Sequence, residues 1–256
     1  MRPETALPGE LSREIRGLQS VGAITGAGVS KESGIPTYRG KGGLYDDPEK
    51  GDQTVDALTA TTLAVDPDRT WRVIAELARQ SLTAKPNAAH HALVKIEKNV
   101  TRFILLTQNV DGLHQLAGTR NIIDIHGNTF DTVCLGCDTR GHLDRSTLTS
   151  ITRTPVCNSC GGHLRPDVVL FGEILPRDKV EQMRQNFYIN PPDLLVIAGT
   201  SALFPYILEP IFIARAAGKI TVEINPEPTK LSDQVDYSLR GPAGVYLPAL
   251  AEALLK

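Results

Sequence analysis

The stretch Val21-Gly-Ala-Ile-Thr-Gly-Ala-Gly-Val-Ser-Lys-Glu-Ser-Gly-Ile-Pro-Thr-Tyr-Arg-Gly40 decides the fold. A short apolar run breaks into a loop with glycines at 26, 28 and 34. A strand ending in glycine where a helix should follow presents free backbone N–H groups to an anion, and the missing Cβ atoms let a pyrophosphate come close. The stretch reads as a place to hold a dinucleotide. Its spacing departs from the usual fingerprint, because Gly26-Ala27-Gly28 is followed by Val-Ser-Lys, and an ordinary tight turn between strand and helix is the alternative. The continuation favours the binding loop. Ser33-Gly34-Ile35-Pro36 followed by Tyr38-Arg39-Gly40 sets a proline among glycines and then an arginine suited to phosphate or ribose.

Around this stretch, 256 residues allow one large α/β domain or a larger domain carrying a small one, with a sizeable core. A formal net charge of −2 offers no global attraction to nucleic acid or anionic membrane, so neither is expected as a partner. No apolar run approaches the roughly 20 residues of a membrane span, and Met-Arg-Pro-Glu-Thr-Ala-Leu-Pro lacks a signal-peptide apolar region, so a cytoplasmic protein is expected. A monomer is the expectation for oligomeric state. The four cysteines fall in two Cys-x-x-Cys pairs, which in a reducing compartment point to metal rather than disulfides.

Leu7, Leu11, Ile15 and Leu18 at helical spacing predict an amphipathic helix before a strand at 21–25. The polar stretch after Arg39 predicts a loop and short helices, and its attachment to the nucleotide site makes it a candidate lid. A helix over 69–80 and another from an Asn87 cap to about Lys98 follow. Phe103-Ile-Leu-Leu-Thr107 is the pattern of a parallel strand buried on both faces. It delivers Gln108, Asn109, Val110 and Asp111 to its carboxyl end, where open α/β sheets bind ligands; simple capping of the next helix by Asn109 and Asp111 is the alternative.

Asn121-Ile-Ile-Asp-Ile-His126-Gly127 predicts another short strand, ending in a histidine that is structural in the plain reading. Asp167-Val-Val-Leu-Phe-Gly-Glu173 has strand character. Further strands end at Gly199-Thr200-Ser201 and at Asn225-Pro226, with a helix over 205–217 between them. Strands alternating with helices specify an α/β, Rossmann-type doubly wound parallel sheet.

Cys134-Leu-Gly-Cys137 and Cys157-Asn-Ser-Cys160 enclose 19 residues, the spacing of a structural four-cysteine zinc ribbon. Four thiolates leave no open coordination position, so this zinc does no chemistry. The expected organisation places 1–40, 84–130 and 165–256 in the Rossmann-type domain, 41–83 in a lid and helical insertion, and 131–164 in the zinc-binding module. The two insertions form the smaller domain.

The string from Gly26 to Arg39 resembles the signature loop of the sirtuin family of NAD-dependent protein deacylases, with Thr37-Tyr38 where many members have an acidic residue and phenylalanine. Thr107-Gln-Asn-Val-Asp-Gly-Leu-His114 is similar to the family's Thr-Gln-Asn-x-Asp-x-Leu-His motif, and His126-Gly127 to its His-Gly motif. The resemblance extends to Gly-Pro-Ala243. It implies removal of acyl groups from protein lysines at the expense of NAD, producing nicotinamide and O-acyl-ADP-ribose. It implies a catalytic set of His126 as base with Asn109 and Asp111. Gln108 and Arg39 would hold the phosphate–ribose side, and Ala27 and Ile35 would wall the nicotinamide pocket. Further cofactor contacts would come from Gly26, Gly28, Ser30, Gly34, Pro36, Tyr38, Asn109, Val110, Asp111, Gly199, Thr200, Ser201, Asn225, Pro226, Glu227 and Ala243.

Under the same resemblance, Val169, Phe171, Gly172 and Glu173 would receive the acylated-lysine protein as an extended peptide by β-augmentation. The chain looks most like the branch that includes desuccinylases, whose Tyr-x-x-Arg pair binds the acyl carboxylate. Ile74 and Leu77 stand at those two positions, which predicts a preference for acetyl or neutral fatty acyl over succinyl or malonyl groups; core packing of one or both is the alternative. Two rivals share the cofactor: a protein mono-ADP-ribosyltransferase or NAD glycohydrolase, and a non-catalytic NAD-sensing module.

Overall fold

The computed structural model describes residues 7–37, 43, 47–80 and 83–256. Tyr38 and Arg39 of the expected cofactor set, and part of the expected lid, lie outside these residues. The described strands are β1 (Ser20–Thr25), β2 (Arg102–Thr107), β3 (Ile122–Asp124), β4 (Gly127–Cys134), β5 (Arg140–His142), β6 (Leu164–Val168), β7 (Leu194–Ala198), β8 (Ile220–Ile224) and β9 (Tyr237–Leu239).

Six strands form one parallel sheet in the order β3-β2-β1-β7-β8-β9. Successive side chains alternate faces, and both faces are covered. Val21, Ala23, Leu105 and Val196 pack into one apolar cluster, with the helices Ala88–Glu97 and Ala243–Leu254 over it. Ile24, Ile104, Leu106, Leu195 and Ile197 pack into the opposite one, under the helices Arg177–Met183 and Pro205–Ala216. The chain steps from β1 outward to β3, then returns to place β7 on the other side of β1. That reversal is the topological switch point at which doubly wound sheets bind ligands.

The register aligns the carboxyl ends. Thr25 lies opposite both Thr107 and Ala198, Thr107 opposite Asp124, and Ala198 opposite Ile224. The loops leaving four adjacent strands on either side of β1 therefore meet along one rim.

The small domain is an antiparallel sheet, β5-β4-β6, with the helices Pro48–Ala57, Ala60–Val65, Pro67–Gln80 and Arg145–Ser150. Trp71, Ile74, Ala75, Ala78, Leu148 and Ile151 form its buried cluster. Trp71 Nε1 donates to the Leu164 carbonyl at 2.9 Å, and the Asp68 carboxylate accepts from the Thr154 amide at 2.7 Å and its hydroxyl at 2.6 Å. The helical and cysteine-bearing insertions thus share one core. Its sheet reaches past the expected 131–164 span at both ends, since Gly127 pairs with Val168.

Several local expectations change. The first helix is only Gly9–Glu14, and the helix after β1 is a 3₁₀ segment, Ala27–Ser33. The strand expected over 167–173 stops at Val168. Beyond it the chain is folded back by Glu173, whose carboxylate takes Arg165 Nη1 at 2.6 Å and the Leu170 amide at 2.9 Å, while Gly172 adopts φ +86°. Neither β9 nor the helix Ala243–Leu254 was expected; both complete apolar layers that exist only once the sheet has formed. Among the described residues, no helix is long and apolar enough to cross a membrane.

Candidate active site

The glycines after β1 work differently from the sequence expectation. Gly26 N–H donates to Ala198 O at 3.1 Å and Gly28 N–H to Gly199 O at 2.8 Å, so neither amide is free for a pyrophosphate. A Cβ on Gly28 would lie 2.7 Å from Gly199 Cα, and one on Gly199 would lie 2.4 Å from Val29 N. Here glycine permits two backbones to touch across the switch point. Gly34 closes the 3₁₀ segment at φ 84°, the left-handed conformation that favours glycine.

The polar side chains of the rim form one connected set. Asn109 Nδ2 donates to Gly26 O at 3.1 Å and to Ser30 Oγ at 3.2 Å. Ser30 in turn donates to Asp111 Oδ2 at 2.6 Å, and Asp111 Oδ1 accepts the Leu113 amide at 2.8 Å. The capping alternative for Asp111 is thus realised at its Oδ1, while its other oxygen faces Ser30. Burial raises the Asp111 pKa, against the lowering effect of the Ser30 and Leu113 bonds. Gln108 Nε2 donates to Thr200 Oγ1 at 2.9 Å, and Asn225 Nδ2 to Thr200 O at 2.9 Å, which joins the ends of β2, β7 and β8.

His126 lies just past β3, with Nδ1 2.9 Å from the Gln108 carbonyl and Nε2 2.6 Å from the Tyr206 hydroxyl. A carbonyl oxygen only accepts, so in the neutral ring Nδ1 carries the proton and Nε2 the lone pair. Burial lowers the His126 pKa; the Gln108 bond opposes this, and nearby Lys179 adds to it. Lys179 is itself held by Asp124, 2.6 Å to Oδ1 and 2.8 Å to the main-chain oxygen.

Beneath the rim, Thr25 Oγ1 bonds Thr107 Oγ1 at 2.9 Å and contacts His114 Nε2 at 3.0 Å, and the His114 and His90 rings lie 4.7 Å apart. Burial holds His90 down to about 4 and His114 well below its usual value. Thr107 Oγ1 also accepts the Asn109 amide at 3.1 Å, tying this buried ladder to the rim.

Other expected positions scatter. Ile35 and Pro36 follow the 3₁₀ segment, half-buried, and Ala27 opens it; Val110 is half-buried beside Asn109. Ser201, Pro226 and Glu227 are exposed on the loops after β7 and β8. Ala243 is buried in the sheet's apolar cluster at the start of its helix. Val169 donates its amide to His126 O at 2.8 Å, which brings the 169–173 loop to the rim. The main-chain groups of Phe171 are already engaged, its amide by Leu58 O at 2.9 Å and its carbonyl by Ala60 N at 3.2 Å. Ile74 is buried in the small-domain core against Leu148 and Ile151, and Leu77 is half-buried on the same helix. Tyr206 and Lys179 had no sequence signal, and although Thr107 and His114 end the quoted motif, their ladder with Thr25 arises through tertiary contact alone.

The cysteines fit a tetrahedral metal. The four Sγ atoms of Cys134, Cys137, Cys157 and Cys160 lie within 4.8 Å of one another, with Cys134–Cys160 at 3.5 Å and Cys137–Cys157 at 3.7 Å. Four sulfurs about 2.3 Å from a zinc ion are separated by roughly 3.8 Å. The amides of Gly136, Ser159 and Gly162 point at three of the sulfurs from 3.2 to 3.4 Å, as suits thiolates.

Fold and site together define a doubly wound nucleotide-binding protein with a small four-cysteine zinc domain. The profile of the Sir2 family matches residues 26–204, and the chain belongs to that family. It is 38% identical over 254 residues to the NAD-dependent protein deacylase 2 of Pseudomonas aeruginosa, covering 96% of each chain. It is 39% identical over 251 residues to the NAD-dependent protein deacylase of Pyrococcus furiosus, covering 96% of this chain and 97% of the other. Among solved structures, a mutant Sir2 homologue bound to ADP-ribose superposes with a TM-score of 0.87 at 35% identity, covering 97% of this chain and 96% of that one. A Sir2 homologue in complex with NAD gives 0.85 at 35% identity, covering 98% and 94%.

Proposed function

We propose that the chain is an NAD-dependent protein-lysine deacylase that yields nicotinamide, O-acyl-ADP-ribose and free lysine. Relatives of nearly equal length carry the deacylase name, and the rim offers the donor set that a dinucleotide needs. The observation that carries the reading is the meeting, at aligned strand ends, of a buried neutral imidazole with a fixed amide–hydroxyl–carboxylate group.

When bound, NAD supplies a ribose carbon that becomes electrophilic as its bond to nicotinamide breaks. Asn109 and Asp111, oriented by Ser30 and the Leu113 amide, would set fixed polar groups beside that carbon. Gln108, Thr200 and Asn225, bonded to one another, would hold the phosphate–ribose side. His126, kept neutral near pH 7 by burial, would be the base on which the ribose hydroxyl proton is finally drawn. The acylated protein would lie along 169–173, with the exposed Phe171 ring giving apolar contact in place of main-chain pairing at that residue. Cys134, Cys137, Cys157 and Cys160 hold zinc, and four reduced cysteines suit a reducing compartment such as the cytoplasm.

Mass spectrometry of a reaction of NAD with an acetyl-lysine peptide tests this. The expected products are deacetylated peptide, nicotinamide and O-acetyl-ADP-ribose in equal amounts, with His126→Ala slower by about 10²–10⁴-fold. ADP-ribose attached to the peptide, or free ADP-ribose with the acetyl group untouched, would move the assignment to the transferase or glycohydrolase class. Binding of NAD without turnover would leave a sensing module.

A further inference from the structure

The Tyr206 hydroxyl occupies the place a ribose hydroxyl must reach for direct base catalysis. It stands 2.6 Å from His126 Nε2, at the short end of the range in which a general base takes a proton. The Gln108 carbonyl at Nδ1 fixes the tautomer, so Nε2 can only accept and the phenol is the donor. An imidazole nitrogen has one lone pair in the ring plane, and here it is taken.

The phenol is also held in place. Tyr206 is the second residue of the helix Pro205–Ala216, and its ring packs on the apolar cluster under that helix. Its other side stacks on Phe204, with ring centroids 5.4 Å apart and planes at 15°. The His126 ring stands edge-on to it at 6.1 Å and 85°. Burial raises the phenol's pKa, so it keeps its proton at neutral pH. A hydroxyl so placed can hand its proton to Nε2 while its oxygen accepts another.

We propose that Tyr206 is a proton relay through which His126 deprotonates the ribose hydroxyl, an inference that rests on the deacylase reading. The ribose O–H bond breaks as its proton forms a new bond to the phenol oxygen. The original phenol proton passes to Nε2. His126 ends as imidazolium with protons on both nitrogens, Tyr206 ends neutral, and the electron pair left on the ribose oxygen forms a bond to the acyl-bearing carbon as that carbon's π pair moves onto the lysine nitrogen. Nothing is oxidised or reduced.

Single-turnover reactions of wild type, Tyr206→Phe and His126→Ala with NAD and acetyl-lysine peptide test the relay, with nicotinamide release and deacetylation followed separately. Tyr206→Phe should keep nicotinamide release within about threefold of wild type, because that step precedes proton removal, and should slow deacetylation about 10²-fold. The dependence of the deacetylation rate on deuterium fraction should be bowed for wild type, with two protons in flight, and linear for Tyr206→Phe. A Tyr206→Phe rate equal to or above wild type makes the phenol only a cover on the base and overturns the relay. A slower rate with an unchanged deuterium dependence makes its role structural and does the same. If wild type deacetylates and only His126→Ala is impaired, the relay alone falls; if wild type does not deacetylate, the functional reading falls and takes the relay with it. Should Tyr206→Phe not fold, histidine ¹⁵N resonances of wild type decide, because the opposite His126 tautomer removes the donor geometry.

Discussion

The parallel sheet and the small domain are built on different resources. The sheet encloses apolar clusters on both faces, with Leu105, Val196, Ile24 and Ile197 almost wholly removed from solvent. Among the described residues, the small domain has a buried cluster of six, three of them Trp71, Leu148 and Ile151, beside four cysteines of which Cys137 and Cys160 are exposed. Apolar burial of about 25 cal/mol per Å² stabilises the large region as it stands. A region with so small a core depends on its metal.

Breaking the metal site should therefore produce the largest effect and confine it to one region. Structural zinc contributes roughly 10–16 kcal/mol to the folding of small modules. Cys134→Ala, Cys157→Ala or strong chelation should abolish zinc binding, measured by elemental analysis, and deacylation with it. Trp71 is the chain's single tryptophan and donates to Leu164 O inside this domain, so its fluorescence reports the small domain alone. Its emission should shift to that of a solvated indole while much of the far-ultraviolet circular dichroism persists. A zinc-free variant with native Trp71 emission and full activity would abolish the distinction.

Acid should strike the other region. His90 and His114 lie beneath the rim of the sheet, both pushed down by burial, His90 to about 4. Below about pH 6.5 the unfolded chain binds protons at these histidines and the folded one does not, so stability falls as pH drops through the window from 6.5 toward 4. The His90 shift corresponds to a loss on the order of 3 kcal/mol at the lower end. Thermal melts between pH 7.5 and 5 should show the transition temperature falling with acid while zinc stays bound. A flat transition temperature over that range removes the buried pair as its cause.

The smallest effect concerns the helix Pro67–Gln80, which serves the small-domain core with Trp71 and Ile74. With aliphatic residues at 74 and 77, a succinyl carboxylate brought to this helix meets no cation from either position, and an unpaired buried charge is costly. We propose that kcat/KM is higher for acetyl- than for succinyl-peptide by about tenfold or more. The opposite order would sink the preference. Because Ile74 is already enclosed by Leu148 and Ile151, Leu77→Arg is the sharper variant: it should narrow the gap.

The sequence by itself determined the sheet, its parallel sense and the metal set. Continuous apolar runs such as Phe103–Leu106 can be buried only from two sides, and paired Cys-x-x-Cys spacing is local chemistry that survives without knowledge of the fold. It also singled out Asn109, Asp111 and His126, through family motifs that stand two to four residues past the ends of β2 and β3. Only the tertiary structure decided why Gly26 and Gly28 are glycines, because the Gly199 backbone they accommodate is brought against them by the β1–β7 pairing. The same holds for the turn at 169–173, which depends on Arg165 and Glu173 meeting, and for Tyr206, which reaches His126 from 80 residues away. Periodicity and spacing report which way a residue faces within its own element; which neighbour it meets there is set by how the elements pack.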